Sequence, residues 1–255
     1  MLDLVIVTGA SRGIGASIAA DARSYARTLA TIASGAPRQR DFEGGGDTRR
    51  LQIDLADATL AEQRVRAEID RVPSVRSIGL ALCAAQLGRF GGLANADFGE
   101  WSRVFAVNVL GNLAVAKACL PAVEAGASLR GVFFAGGGAA YGYPEFSAYA
   151  ISKAAIVRAV ENLALEANAE GWDAAVVALA PGAVETDMLA TVVAHGGSVR
   201  TKTDISEPTT FVRRFLTGEF DAKNLNGRFL HVRDDISGRD LAALPSDLFK
   251  LRRVE

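Results

Sequence analysis

The first fifteen residues constrain this chain more than any other part of it. Leu2–Val7 is short and almost wholly apolar. It runs directly into Thr8-Gly9-Ala10-Ser11-Arg12-Gly13-Ile14-Gly15, and a helical pattern follows. That order describes a strand, a tight turn and a helix whose first backbone amides are bare. Bare amides at the positive end of a helix dipole hold phosphate groups. Side chains at the glycines would keep a phosphate from approaching the backbone. A glycine-rich turn alone is an ordinary connection, but between a strand and a helix it predicts a dinucleotide site.

The remainder of the chain repeats the same alternation. Leu29–Ala33, Leu51–Ile53, Ile78–Ala84, Gly131–Ala135, Ala174–Ala180 and Gly227–Val232 are short runs rich in Val, Ile, Leu or Phe. Several lack polar alternation, as strands covered on both faces of a parallel sheet do. Between them lie segments long enough for crossover helices, at about 14–26, 59–71, 97–124, 147–170 and 207–217. Thr59-x-x-Glu62 and Asp97-x-x-Glu100 are capping signals, and Val65, Ile69 and Val72 then recur at helical spacing. The expected fold is α/β: a doubly wound parallel sheet (Rossmann fold) of about seven strands, one domain spanning residues 1–255. Ser34–Arg49 reads as a surface loop. The segment 187–206 is long for a connection without structure, which predicts a substrate loop or lid.

Composition excludes several alternatives. Lys+Arg total 28 and Asp+Glu 29, so net charge is -1 and no basic stripe points to nucleic acid. The apolar runs Val104–Ala116 and Gly131–Pro144 fall short of the roughly 18–20 residues a bilayer needs, so no membrane span is expected. The N-terminal residues lack a basic leader pattern and read as a strand. Cys83 and Cys119 sit in apolar segments and read as small buried hydrophobes, consistent with a reducing cytoplasm. His195 and His231 lack metal-ligand spacing, so no metal is expected.

Tyr149 and Lys153 form Y-x-x-x-K in FSAYAISKAA. Four residues apart on a helix, both side chains share one face. A cation beside a phenol stabilises the phenolate and lowers its pKa from ~10, so that the tyrosine can exchange a proton with a carbonyl or alcohol oxygen. Asn108, in FAVNVLG, lies inside an apolar helix, where its amide is costly unless bonded. With the T-G-x-x-x-G-x-G spacing, and with Pro181-Gly182-Ala183-Val184-Glu185-Thr186 after the sixth strand, the chain resembles the classical short-chain dehydrogenase/reductase family over nearly its whole length.

The resemblance implies a set of roles. Tyr149 would be the acid/base, Lys153 would lower its pKa and bond the nicotinamide ribose, and Asn108 would hold a water in the proton relay. Cofactor contacts would come from Thr8, Gly9, Ser11, Arg12, Gly13, Ile14 and Gly15. Ser34, Asp54 (towards adenine), Leu55, Ala84, Ala85, Tyr149, Lys153, Pro181, Gly182, Val184 and Thr186 would complete them. For Asp54 a strand-end cap is the competing reading, and for Thr186 a helix N-cap.

Two departures stand out. Cys83-Ala84-Ala85-Gln86 replaces the family's Asn-Asn-Ala-Gly, and the catalytic serine position falls at Gly136 in Ala135-Gly136-Gly137-Gly138. Loss of such a donor typically costs about 10²–10³ in rate. The glycine amides, Tyr141, Tyr143 or Ser147 are candidate substitutes, although Ser147 also reads as the N-cap of its helix.

The leading expectation is an NAD(P)-dependent oxidoreductase acting on a carbonyl/alcohol pair of a small molecule. A cofactor-binding protein with little catalysis and a nucleotide-sugar-modifying enzyme are the alternatives. No acid follows the second strand, in Thr31-Ile32-Ala33-Ser34-Gly35, and Arg12 matches a basic residue common in NADP-preferring members; Arg38 adds charge nearby. NADP(H) is therefore expected, with NAD(H) as the alternative. Apolar residues around most of the circumference of the 97–124 and 147–170 helices (Val104, Val107, Leu110, Leu113 and Val115; Ala150, Ala154, Val157 and Leu163) predict a homodimer or homotetramer built through them.

Overall fold

The computed structural model describes residues 1–35, 47–197, 199, 201–245 and 247–251. A seven-stranded parallel sheet organises them: β1 Leu2–Thr8, β2 Ala26–Ala33, β3 Asp47–Gln52, β4 Ser77–Leu82, β5 Ser128–Phe134, β6 Ala174–Ala180 and β9 Phe229–His231, in the spatial order β3-β2-β1-β4-β5-β6-β9. β7 Ala183–Val184 and β8 Lys202–Thr203 form a separate parallel pair.

Alternation along β1 explains its unbroken hydrophobicity. Leu4 and Ile6 pack against α2 (Ala58–Ile69), α4 (Asn112–Glu124) and α5 (Ser147–Ala169). Val5 and Val7 face the opposite way, against α1 (Gly13–Ala22) and α7 (Ser206–Leu216). Both faces are dry, so both need apolar side chains. The strand order reverses between β1 and β4. A sheet of this kind opens its crevice there, at the carboxyl ends of the strands.

Several local readings change. β3 begins at Asp47, four residues before the expected Leu51; it is an edge strand, where alternate polar side chains reach solvent. Arg38 lies outside the described residues. Asp57, not Thr59, caps α2, because its carboxylate accepts from the Leu60 amide. Asp97 caps α3 (Phe98–Phe105) as expected, accepting from the amides of Gly99 and Glu100. Ser147 is not a cap: it is the first residue of α5, and Phe146 before it makes no side-chain cap bond.

The 97–124 helix is continuous but widens to π geometry over Ala106–Gly111, between α3 and α4. Phe98–Glu124 is long and apolar enough to cross a membrane, more than the sequence expectation allowed, because the run tolerates isolated charges. It is mostly buried, with Val104, Val107 and Val115 inside the monomer. The 187–206 segment is not an open loop. It contains α6 (Asp187–Ala194) and β8; Ser198 and Arg200 lie outside the described residues.

Candidate active site

The glycine turn is built by close approach. Gly9 and Gly13 have φ of +65° and +57°, a conformation that side chains disfavour. A Cβ on Gly9 would lie 2.9 Å from the Ala84 Cα, and one on Gly15 would run into the Gly9 carbonyl oxygen. Arg12 precedes α1, and its side chain makes no cap bond to the helix amides. This cradle fits the pyrophosphate of a dinucleotide.

One cleft of about 1200 Å³ continues from it. Its walls include Ser11, Arg12, Ile14, Ser34, Asp54, Leu55, Cys83, Ala84, Ala85, Tyr149, Lys153, Pro181, Gly182, Val184 and Thr186. The expected cofactor residues thus converge, with one exception. Thr8 is fully buried: its hydroxyl donates to Asn112 Oδ1 at 2.8 Å and accepts from the Ala84 amide at 3.0 Å. Asn112 Nδ2 donates in turn to the carbonyls of Ala84 and Asn108. This network fixes the end of β1 to the strand beside it. The reading missed Asn112; a second asparagine one turn after Asn108, in an apolar helix, was the signal.

Asn108 does not line the cleft. Its Oδ1 accepts from the Gln86 amide at 2.7 Å, and its Nδ2 donates to the Gln86 carbonyl and to Ser152 Oγ, each at 2.9 Å. The side chain pins the loop that replaces Asn-Asn-Ala-Gly. Asp54 lies in the wall, where its carboxylate accepts from the Ala56 amide and from Arg103 Nη2, both at 3.0 Å. Those two bonds hold its carboxyl below the usual range against the opposing effect of burial. Thr186 caps α6 by accepting from the Leu189 amide, and its methyl packs towards Gly13. Arg12 pairs with Asp187 at 3.4 Å; both side chains are well exposed. Cys83 is only half-buried, in the cleft wall, whereas Cys119 is buried as expected.

Tyr149 and Lys153 share one face of α5. Lys153 is almost fully buried; its Nζ donates to the Phe134 carbonyl at 2.7 Å and lies 5.5 Å from the centre of the Tyr149 ring. Burial pushes the Tyr149 phenol up to about 12, with the Tyr143 phenol adding to the rise. Burial lowers Lys153 to about 8. The expected lowering of Tyr149 is therefore not found in this chain alone. The ammonium is turned to a carbonyl while the phenol loses hydration. At neutral pH Tyr149 is protonated, as a proton donor must be.

Gly136 stands directly opposite. A Cβ there would lie 3.5 Å from the Tyr149 hydroxyl, an ordinary contact. The position where the family carries a serine hydroxyl is thus beside the phenol, and it is bare. Farther out, aromatic rings form a ladder. Tyr143 stacks on Phe146 at 4.7 Å, Phe146 meets the edge of Phe90 at 4.9 Å, and Phe90 stacks on His195 at 3.7 Å. His195 ends α6, so the ladder ties the 187–206 segment to the loop after β4.

A family model for the short chain dehydrogenases matches residues 3–196. Elsinochrome reductase 1 of Elsinoe fawcettii is 28% identical over 193 residues, covering 72% of this chain and 69% of that protein. The 3-oxoacyl-[acyl-carrier protein] reductase of Brucella melitensis, solved with NAD, superposes with a TM-score of 0.75 at 25% identity, over 91% of this chain and 96% of that one. An actinorhodin polyketide ketoreductase variant solved with NADPH gives 0.78 at 24% identity, over 93% and 98%. The matched segment runs from β1 through α6 and contains the glycine cradle, Tyr149 and Lys153. The chain belongs to the short chain dehydrogenase family and is an oxidoreductase on a single Rossmann-like domain.

Proposed function

We propose that this protein interconverts a carbonyl and an alcohol on a small molecule, using NADP(H), with Tyr149 as proton donor and acceptor. The observation that carries the reading is the placement of the protonated Tyr149 hydroxyl and the Lys153 ammonium in the same cleft as the glycine cradle. A bound nicotinamide would supply or accept the hydride. The chain's own residues do the rest. Gly9, Gly13 and Gly15 leave room for the pyrophosphate, with Ser11 and Ile14 beside it. Ser34, Asp54 and Leu55 line the adenosine end, and Ala84, Ala85, Pro181, Gly182, Val184 and Thr186 line the nicotinamide end. In reduction Tyr149 gives its proton to the carbonyl oxygen as that oxygen becomes negative. Lys153 then stabilises the phenolate left behind. Asn108 acts at one remove, by holding Gln86 and the loop that borders the site.

NADP(H) is favoured because Ser34 and Gly35, not an acid, follow β2, and because Arg12 stands in the glycine turn. A bound 2′-phosphate would compete with Asp187 for that guanidinium. The 187–206 segment serves as a substrate lid, with α6 as its rigid part. Assembly is through the helices that flank the site. Phe98, Leu110, Ile151 and Leu165 are the large exposed apolar residues on them, whereas Val157 is fully buried in the monomer and contributes nothing to a partner. The reading places the protein in the cytoplasm, with no nucleic-acid or membrane partner.

The test is turnover of benzil and other bulky carbonyls, followed by NADPH and NADH absorbance. Tyr149→Phe should lose about 10²–10⁴ in kcat/KM with NADPH affinity unchanged. A variant that keeps near-normal turnover removes Tyr149 from the chemistry. A wild type that binds NADPH yet reduces no carbonyl favours the cofactor-binding alternative that the bare Gly136 raises. Tighter binding of NADH than of NADPH refutes the cofactor preference. A monomer mass by light scattering at tens of micromolar refutes the assembly.

A further inference from the structure

The bare position at Gly136 leaves a chemical requirement unmet. A carbonyl oxygen gaining negative charge needs a second hydrogen-bond donor beside the phenol that protonates it. We infer that Tyr143 supplies it, its phenol hydroxyl donating to the substrate oxygen while Tyr149 transfers the proton. The inference rests on the oxidoreductase reading above and names a second tyrosine in the same site.

Four observations converge on Tyr143. Its ring lines the cleft that holds Tyr149 and the glycine run. The ring is fixed: one face stacks on Phe146, 4.7 Å away and 16° from parallel, and Phe146 is itself buried. It also borders the glycine run, since a Cβ on Gly138 would lie 3.4 Å from the Tyr143 Cδ1, an ordinary contact, and more tightly, 3.2 Å, against Ala150. Finally, the Tyr143 phenol is close enough to add to the rise in the Tyr149 pKa that burial causes. The two phenols therefore share one environment, and among the described residues neither hydroxyl has a protein hydrogen-bond partner.

The other side-chain candidates fall away. Tyr141 is 78% exposed, and among the described residues no ring stacks on it to hold it. Ser147 sits in the first turn of α5 and does not line the cleft. The glycine amides remain as rivals, and they give the opposite result in the test below.

The glycine run thus acquires two separate purposes. Gly136 leaves the position beside Tyr149 without a hydroxyl, and Gly138 lets the run pack closely on Ala150 of α5, next to the Tyr143 ring. In the reduction the carbonyl carbon gains a hydride from the reduced nicotinamide, and the oxygen gains the Tyr149 proton. Tyr143 keeps its own proton throughout. Its hydrogen bond shortens as charge builds on the oxygen, and this is the source of its effect on rate.

Four variants test this with benzil and NADPH: Tyr143→Phe, Gly136→Ser, the double variant, and Tyr149→Phe as reference. Tyr143→Phe should lower kcat by about 10²-fold, the cost of one lost donor, with the Kd for NADPH within twofold of wild type. Gly136→Ser supplies the reference rate for the double variant. The backbone there is extended, so serine fits, and it should restore at least tenfold of the loss in the double variant. A readout independent of turnover is 13C NMR of protein labelled at tyrosine Cζ, which is tractable with four tyrosines in the chain. Removing the Tyr143 hydroxyl should move the Tyr149 resonance and lower its titration midpoint. If Tyr143→Phe keeps kcat within twofold while Tyr149→Phe is inert, Tyr143 is not the donor and the glycine amides are. An unmoved Tyr149 resonance also overturns the inference. Full activity in Tyr149→Phe, or no carbonyl reduction by the wild type, overturns the underlying reading and this one with it.

Discussion

The two ends of the cleft are built by different means. The phosphate end is made of backbone. Gly9 and Gly15 bring β1, α1 and the loop after β4 within contact distances that no Cβ permits, Gly13 turns the chain at φ +57°, and the Thr8–Asn112–Ala84 network locks them from behind. The substrate end is made of side chains. Tyr143, Phe146, Phe90 and His195 lean on one another by ring contacts, and α6 is held there by few polar bonds. A phosphate is the same in every dinucleotide, so a fixed cradle serves. A substrate mouth has to open and to fit one shape, and stacked rings part at lower cost than a buried hydrogen-bond network.

The sharpest way to break this contrast is at Gly15. Gly15→Ala places a methyl on the Gly9 carbonyl oxygen, and NADPH affinity should fall at least ~100-fold, since the clash is with backbone that cannot yield. Fluorescence titration reads it, and affinity within a few-fold of wild type would show the cradle to be soft. Next comes Asn112→Ala, which strands the Thr8 hydroxyl and the Ala84 carbonyl in the core. At ~1–3 kcal/mol for each unsatisfied group, stability should drop by about 3 kcal/mol. Urea unfolding measures it, and a loss under about 1 kcal/mol would mean the network is not what locks the phosphate end.

At the substrate end the effects should be smaller and more local. Lys153 is charged below its lowered value of about 8 and neutral above it. Carbonyl reduction should therefore be level below pH 8 and decline about tenfold per unit above it, as one essential proton is lost. Lys153→Met should lower the plateau and abolish the decline. A pH–rate profile in which wild type and variant decline alike would detach the limb from Lys153. The smallest effect is expected for His195→Ala. One aromatic stack is worth ~0.5–1.5 kcal/mol, so global stability should barely change while cleavage within 187–206 by a protease speeds up severalfold. Unchanged cleavage would show that the ladder does not hold α6.

Much of this was legible in sequence because it is local. The glycine spacing between a strand and a helix, and two residues one helical turn apart, are read along the chain without knowing what packs beside it. Boundaries failed where the neighbour decides. β3 extends into polar residues because it lies at the sheet edge, and Asp57 rather than Thr59 caps α2 because the approach of the chain selects the capping oxygen. Asn112 was missed because its partners, Thr8 and Ala84, are distant in sequence. The 187–206 segment reads as a loop in sequence because its helix has only two turns, begun by Thr186 and closed by a ring stack on Phe90.

The sequence by itself determined the doubly wound sheet, the phosphate cradle and the Tyr149–Lys153 pair, since periodicity and short-range spacing carry them. Only the tertiary structure decided the state of that pair and its surroundings. Burial sets the ionisation of Tyr149 and Lys153. The three-dimensional return of the chain brings the Tyr143 ring into the Tyr149 cleft and stacks it on Phe146. Desolvation and contact between segments far apart in sequence are properties of packing, and no spacing along the chain encodes them.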